Sequence, residues 1–255
     1  MVTSKLTLTA LAGIPLVKPG DDLVALLIAG FARSGLEPAD QDVVVVAQKI
    51  VSKAEGRFVD LRSVVPSERS RAIAEEVNKD ARLVDVILSE SDEIIRKRRD
   101  VLITVHRLGL IMANAGVDQS NVAGESSEQA LLLPRDPDGS AAALKAGLDR
   151  HYGVDLAVII NDSFSRPWRH GVVGVAIGAA GIPVVRNMVG TPDLYGRKMR
   201  VTEIALADEI ATAASLLMGQ ADEGQPAVHL RGLSWDEPPA AASKLLRPKE
   251  MDLFR

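Results

Sequence analysis

The chain has 255 residues, 47% hydrophobic and 25% charged, enough for one large domain or two small ones around a real core, and ordinary globular composition. It has no cysteine, which excludes disulfides, Fe–S clusters, thiolate zinc sites and a cysteine nucleophile, and fits a reducing compartment. The net charge of −4 and the lack of a long Lys/Arg run argue against nucleic acid as a partner.

Lys5 to Leu11 alternates Leu6, Leu8 and Ala10 on one face and predicts a strand, which Gly13-Ile14-Pro15 ends. Asp21 or Asp22 then caps a helix through Leu23, Leu26, Leu27, Ile28 and Phe31. Val43 to Ala47 is a β-branched run of the kind buried on both faces. A polar, basic segment follows, containing Gln48, Lys49, Ser52, Lys53, Glu55 and Gly56. Pro66 is expected in the first turn of a helix through Ala72, Ile73 and Val77, and a second helix spans Ala81 to Ser89. Arg96 to Arg99, followed by Asp100, reads as a solvated helix end. Val101 to Val105 and Leu108 to Met112 read as paired strands around His106-Arg107. Asn114 to Ser127 is a polar, Gly-containing loop, and Pro134 to Gly139 a turn cluster.

Ser140 opens an alanine-rich helix that stops at Gly153. Leu156 to Ile160 is a second buried strand that delivers Asn161-Asp162-Ser163 at its carboxyl end. Gly171 to Val185 is Gly-spaced and apolar, expected to fold strand–turn–strand and too short and broken to span a membrane. Thr202 to Met218 carries one apolar stripe with Gly219 as its stop. Ala227 to Leu230 is a short strand, and Pro238 to Arg255 an Ala/Pro-rich tail. The fold class is α/β (α+β), with mixed sheets and flanking helices. The elements do not alternate as a Rossmann sheet or TIM barrel would. Met1 to Val17 lacks a basic n-region and a cleavage site, so a cytoplasmic protein is expected, with no membrane partner.

Standard nucleotide motifs are absent: there is no P-loop, and Gly171, Gly174, Gly178 and Gly181 do not lead a strand into a helix. Their ordinary role is close backbone packing. The histidines at 106, 151, 170 and 229 lack metal-ligand spacing and read as hydrogen-bonders. Asp162 ends a buried strand, where an α/β protein places ligand groups, and Asp118 lies in a Gly-containing loop. Such carboxylates suit Mg²⁺ or Mn²⁺, although a lone loop Asp most often caps an Asx turn. Lys49, Lys53, Arg166 and Arg169 are candidates for binding phosphate or carboxylate. From the residues alone the reading stops at an α/β protein with a candidate anion or metal site.

Five segments carry it further: GIPLVKPGDDL (13–23), VVVAQKIVSKAEGR (44–57), NAGVDQSNV (114–122), NDSFSRPWRHGVVGVAIG (161–178) and MGQADEGQPAVHLRG (218–232). In this order, over Gly13 to about Gly232, they resemble the coenzyme F420-0:γ-glutamyl ligase family. The resemblance implies an α/β ligase fold of its own, a homodimer, and an amide-forming reaction between coenzyme F420-0 and L-glutamate. It also implies GTP as co-substrate, an acyl-phosphate intermediate, and Mg²⁺ or Mn²⁺, with potassium a further candidate cation. Matched by motif, Asp118 and Asp162 are metal ligands, with Ser163 (more often Thr in the family) and Gln220 completing the set. Ile14, Pro15, Leu16, Val17, Gln48, Lys49, Lys53 and Asn121 match nucleotide-contacting positions. So do Met218, Gly219, Gln220, Ala221, Asp222, Glu223, Gly224 and Gln225. Lys53 would neutralise the transferring phosphoryl.

Two roles are read from the residues beside the resemblance. Arg166 and Arg169 would clamp a substrate carboxylate or phosphate, and Trp168 would either stack on the deazaflavin ring or simply pack. Residues 1–237 are expected to form the ligase domain, with room for two intimately packed subdomains, and 238–255 a C-terminal extension. That extension resembles the start of the junction to a nitroreductase-like flavin domain found in some relatives, and no FMN-dependent reductase activity is expected. The competing readings are a metal-dependent phosphohydrolase, a non-catalytic nucleotide-binding protein, and an amide ligase for another acid.

Overall fold

The structure is a computed structural model that describes residues 5–120 and 128–254. In chain order, β1 (Thr7–Ala10) precedes α1 (Leu23–Arg33), whose first turn is capped by Asp22 accepting from the Ala25 N–H. Strand β2 (Val43–Ala47) runs directly into α2 (Gln48–Ala54), so the polar, basic segment is helical. There follow β3 (Phe58–Asp60), α3 (Glu68–Val77), α4 (Ala81–Ser89), β4 (Ser91–Arg98), β5 (Val101–His106), β6 (Ile111–Ala113) and β7 (Gln129–Leu131). The remainder comprises α5 (Pro137–Tyr152), β8 (Ala157–Ser165), β9 (Val172–Ala180), β10 (Arg186–Asn187), β11 (Glu203–Ile204), α6 (Leu206–Met218) and β12 (Ala227–Arg231).

A five-stranded sheet of order β1-β12-β2-β8-β9 forms the centre. β2 and β8 pair in parallel, and the other neighbours are antiparallel. This is a mixed sheet and not a Rossmann one. β2 explains its own position. Alternation sends Val44 and Val46 to a core shared with Leu27 and Phe31 of α1 and Leu144 and Leu148 of α5. It sends Val43 and Val45 to the opposite core, with Leu206, Ile210 and Ala214 of α6. Each fully buried valine contributes about 1.5–3 kcal/mol, which commits this run to the middle of the sheet. A third cluster, including Leu61, Val77, Ile87, Leu102 and Leu132, holds α3 and α4 against the smaller sheets β3-β7 and β4-β5-β6.

The spaced glycines are packing devices. A Cβ on Gly174 would stand 2.4 Å from the Ala211 carbonyl oxygen of α6, and one on Gly178 2.3 Å from that of Pro137 in α5. Glycine lets both helices close on β9 at backbone distance.

Several boundaries differ from the sequence reading. Gly171 to Val185 does not fold strand–turn–strand; β9 is one long strand paired to β8, followed by the turn at Gly181. Asn161, Asp162 and Ser163 lie inside β8, because pairing with β9 extends that strand to Ser165. Pro66 precedes the helix instead of opening it, since Ser67 is the cap and accepts from the Ser70 N–H. The Arg96–Arg98 cluster is an edge strand, where charge blocks further pairing, and not a helix end. α5 starts earlier than Ser140, with Asp136 as cap and Pro137 in its first turn. α6 starts later than Thr202, because Glu203 and Ile204 pair with β10. β3 and β7, not foreseen, are short runs that gain strand form by pairing with each other. The tail packs: the Ala240 N–H donates to the Ile182 carbonyl, and Ala242 is buried. No helix among the described residues is long and apolar enough to cross a membrane.

Candidate active site

The topology of the central sheet gathers four of the predicted segments at one edge. β2 and β8 run in parallel, with Ala47 opposite Asn161, so Gln48-Lys49 and Asp162-Ser163 emerge at the same end. β12 is antiparallel to β2, with Ala227 opposite Val46, so Met218 to Gln225 arrives there from α6. β1 is antiparallel to β12, and the Leu11 N–H donates to the Ala227 carbonyl, so Ile14 to Val17 leaves from the same end. The carboxyl edge of a parallel pair is where open α/β sheets bind ligands. Here Leu16 and Pro15 are exposed, Val17 is buried, and Ala221 to Gln225 are exposed.

Asp118 reaches this edge from the third cluster, to which its neighbour Val117 belongs. Its backbone pairs with Leu131, and its carboxylate bonds Lys49 of α2, Nζ to Oδ2 at 2.7 Å. The Ser120 N–H donates to Asp118 Oδ1 at 2.7 Å and the Ser120 hydroxyl to Oδ2 at 2.9 Å. Asp118 therefore does make an Asx turn, while also facing the basic helix. Lys49 donates to the Ser120 hydroxyl at 2.8 Å. Ser120 was not singled out from the sequence, although the Asp-x-Ser spacing is the signal for such a turn. Before Asp118, Asn114 and Ala115 both take left-handed φ (54° and 50°), and the Asn114 Oδ1 is buried without a hydrogen bond.

The electrostatics couple these groups. Burial pushes Asp118 up, but the Lys49 ammonium and the Ser120 donors outweigh it and hold the carboxyl below its ordinary value. Asp162 moves the other way, to about 6: burial raises it, the Asp118 charge adds to this, and the Ser163 N–H and Lys49 oppose. Two carboxylates that repel each other at a half-buried position are what a divalent cation relieves. The donors are hard oxygens, and Mg²⁺ or Mn²⁺ needs only one or two protein carboxylates when phosphate and water complete its shell. The residues therefore fit the metal. Lys53, buried on α2, is pulled below the ordinary lysine value by burial and then by Lys49. Gln48 is buried and accepts from the Ser52 hydroxyl.

Ser163 and Gln220 form a second pair, Oγ to Oε1 at 2.8 Å. Strand alternation puts Ser163 with Asn161 on the α6 face of β8, and Asn161 bonds Ser215 and Met218 of α6. Asp162 points to the other face. So Asp118 and Asp162 come together with Lys49, and Ser163 and Gln220 come together beside them. Met218 is buried and Gly219 ends α6 with φ 70°. Glu223 folds over Gly219, and its carboxylate accepts from the Ala221 N–H. Arg166, Trp168 and Arg169 lie in the loop beyond β8; Arg166 donates to the Gly171 carbonyl at 3.4 Å and Arg169 is exposed. Asn121 lies outside the described residues. His106 and His229 are buried beside Glu90 and Asp42, away from this edge.

A family model for F420-0:Gamma-glutamyl ligase matches residues 13–232. The chain belongs to the F420-0:gamma-glutamyl ligase family. Among similar proteins, the coenzyme F420:L-glutamate ligase of Methanothermobacter thermautotrophicus is 46% identical, over 98% of this chain and 99% of that one. That of Methanopyrus kandleri is 45% identical, over 94% of this chain and 93% of its own length. That of Archaeoglobus fulgidus is 41% identical, over 95% and 94%. The matched span covers each of the segments that converge at the sheet edge, from Ile14 to Gln225.

Proposed function

We propose that this chain joins L-glutamate to the carboxylate of coenzyme F420-0, then adds γ-linked glutamate, at the expense of GTP. Family membership supports the acid and the amine. The meeting of Asp118, Asp162 and Lys49 at the carboxyl edge of the β2–β8 pair is the observation that carries the chemistry. A carboxylate is a poor electrophile until one oxygen becomes a better leaving group. In the proposed sequence, a carboxylate oxygen of the coenzyme attacks the γ-phosphorus of GTP, and the bond to the GDP oxygen breaks. The glutamate α-amine then attacks the acyl carbon, loses a proton, and phosphate leaves with the C–O bond electrons.

Asp118 and Asp162 would hold Mg²⁺ or Mn²⁺, which would supply charge neutralisation for the reacting phosphate. Lys49 and Lys53 bring positive charge to the same edge, where it offsets charge on the transferring phosphoryl. The exposed stretches Ile14–Val17 and Met218–Gln225 flank this edge as the nucleotide site. Arg166 and Arg169 are set to take an anionic group of a substrate. We also take the enzyme to be a cytoplasmic homodimer; the exposed apolar residues Val189, Leu194, Tyr195 and Val201, on the arm that joins β10 to β11, support self-association.

The test incubates the protein with coenzyme F420-0, L-glutamate, GTP and Mn²⁺ and follows products by mass spectrometry. One or more glutamyl additions, lost in Asp162→Ala, is the expected result. GTP hydrolysis that ignores glutamate would instead indicate a phosphohydrolase, and binding without turnover a nucleotide-binding protein.

A further inference from the structure

Trp168 is 88% exposed in the loop between β8 and β9, and its backbone takes φ 64°. Both features are unusual. A large aromatic side chain gains most from burial, and a bulky residue in the left-handed region is an outlier that persists where its surroundings or its task require it. Its ring neighbour is Phe254, itself 53% exposed, with centroids 6.1 Å apart and planes tilted by 58°. Phe254 comes from a tail anchored to the body at Ala242 and Lys249, with a local turn at its end. The Ala242 N–H donates to Asp138 Oδ1 at 2.7 Å, Lys249 pairs with Glu93 at 3.0 Å, and the Phe254 N–H donates to Asp252 Oδ1 at 2.9 Å.

We propose that Trp168 and Phe254 form an aromatic shelf for the deazaflavin ring of the coenzyme substrate, which makes the C-terminal segment part of the coenzyme site. The proposal rests on the ligase reading. In the coenzyme, a phosphate-containing arm separates the flat ring from the carboxylate that reacts. A ring site must therefore stand well away from the residues that handle the phosphoryl group. β8 supplies that offset. Asp162 lies within the strand, the strand continues to Ser165 at about 3.3 Å per residue, and Trp168 lies beyond its end. Arg166 and Arg169 bracket Trp168 in sequence, where the phosphate of the arm would need a cation. Two tilted rings, one exposed and one half-exposed, offer a face and an edge to a third planar ring.

The test measures KM for coenzyme F420-0 and for GTP, and kcat, in Trp168→Ala, Trp168→Phe and Phe254→Ala. Trp168→Ala should raise the coenzyme KM by about tenfold or more, as loss of one stacking ring does, with Phe254→Ala giving a smaller rise. Trp168→Phe should recover most of it, and the KM for GTP should not move. A direct readout is quenching of tryptophan fluorescence by added coenzyme. The chain has 2 tryptophans, so Trp235 reports alone in Trp168→Phe, and the quench should largely disappear there. An unchanged coenzyme KM and an unchanged quench in an active Trp168→Ala protein would overturn the shelf while leaving the ligase reading intact. If the unaltered protein adds no glutamate, the ligase reading fails. The shelf then stands or falls on whether Trp168→Phe abolishes the quench.

Discussion

Lys49 Nζ lies 2.7 Å from Asp118 Oδ2, so a cation on α2 neutralises one of two carboxylates that electrostatically oppose each other across the site. Both Asp118 and Asp162 feel Lys49, and both are lowered by it. Lys49→Met should therefore reduce glutamate addition by about 10²–10³ in kcat, the usual cost of removing one preorganised charge from a reacting centre. Lys49→Arg should restore only part of this, because a planar fork does not replace a compact ammonium. Steady-state kinetics at saturating Mn²⁺ would check both.

For the metal site proposed above, Asp162 predicts a pH-dependent conflict between proton and metal. Its folded value is raised to about 6, chiefly by burial. Between the ordinary carboxylate range and about 6, the folded metal-free chain holds a proton that the unfolded chain has lost. Its stability falls as pH rises through that window. Asp162→Asn should thus stabilise the metal-free protein by up to about 3 kcal/mol near pH 7, and by nothing below about pH 4. Thermal melts with chelator present would show it. Mn²⁺ needs the carboxylate form, so its apparent affinity should drop about tenfold per pH unit below about 6.

Glu90 links the third cluster to the core under α1 and α5, through Arg57 and Leu133. It is buried and bonds Arg57, which also donates to the Leu133 carbonyl; Arg107 lies at 3.0 Å and His106 Nε2 at 3.4 Å. Burial alone would raise its carboxyl, but His106, Arg57 and Arg107 bring it down to about 2. This contribution is present above the ordinary glutamate range and is lost as pH falls towards about 2. Glu90→Gln should cost about 3 kcal/mol at neutral pH, since it leaves Arg57 buried and uncompensated, and much less in strong acid. Urea midpoints at the two pH values would measure the difference.

Two glycines in the same segment should respond differently to alanine. Gly178→Ala puts a Cβ against the Pro137 backbone, and overpacking there should cost about 1–3 kcal/mol. Gly171, with φ 85°, has open space where its Cβ would be, so Gly171→Ala should cost only the left-handed backbone penalty, about 1 kcal/mol. Equal melting temperatures for the two variants would contradict this account.

The sequence by itself determined the elements whose burial is written into their periodicity. β2 is apolar at every position and could lie only between two layers. The start of α1 at Asp21 or Asp22, the stop of α5 at Gly153 and the bounds of α4 are local chemistry, so they were legible without any tertiary context. Asp118 and Asp162 stood out in the sequence as candidates only through the resemblance of their motifs, since a lone Asp in a loop reads first as a turn cap.

Tertiary structure alone decided the rest. β3 and β7 have no periodicity of their own and exist because they pair with each other. The Arg96–Arg98 run, helix-like in its charge, becomes a strand because β5 offers it hydrogen-bonding partners. Which face of β8 each site residue occupies depended on pairing with β9, which carried the strand through Asp162 and Ser163. Trp168 and Phe254 are 86 residues apart by their numbers, and only the packing of the tail brings them together. Local signals report what a segment can form. The partner that satisfies its remaining hydrogen bonds and covers its remaining surface lies elsewhere in the chain, and only the folded structure names it.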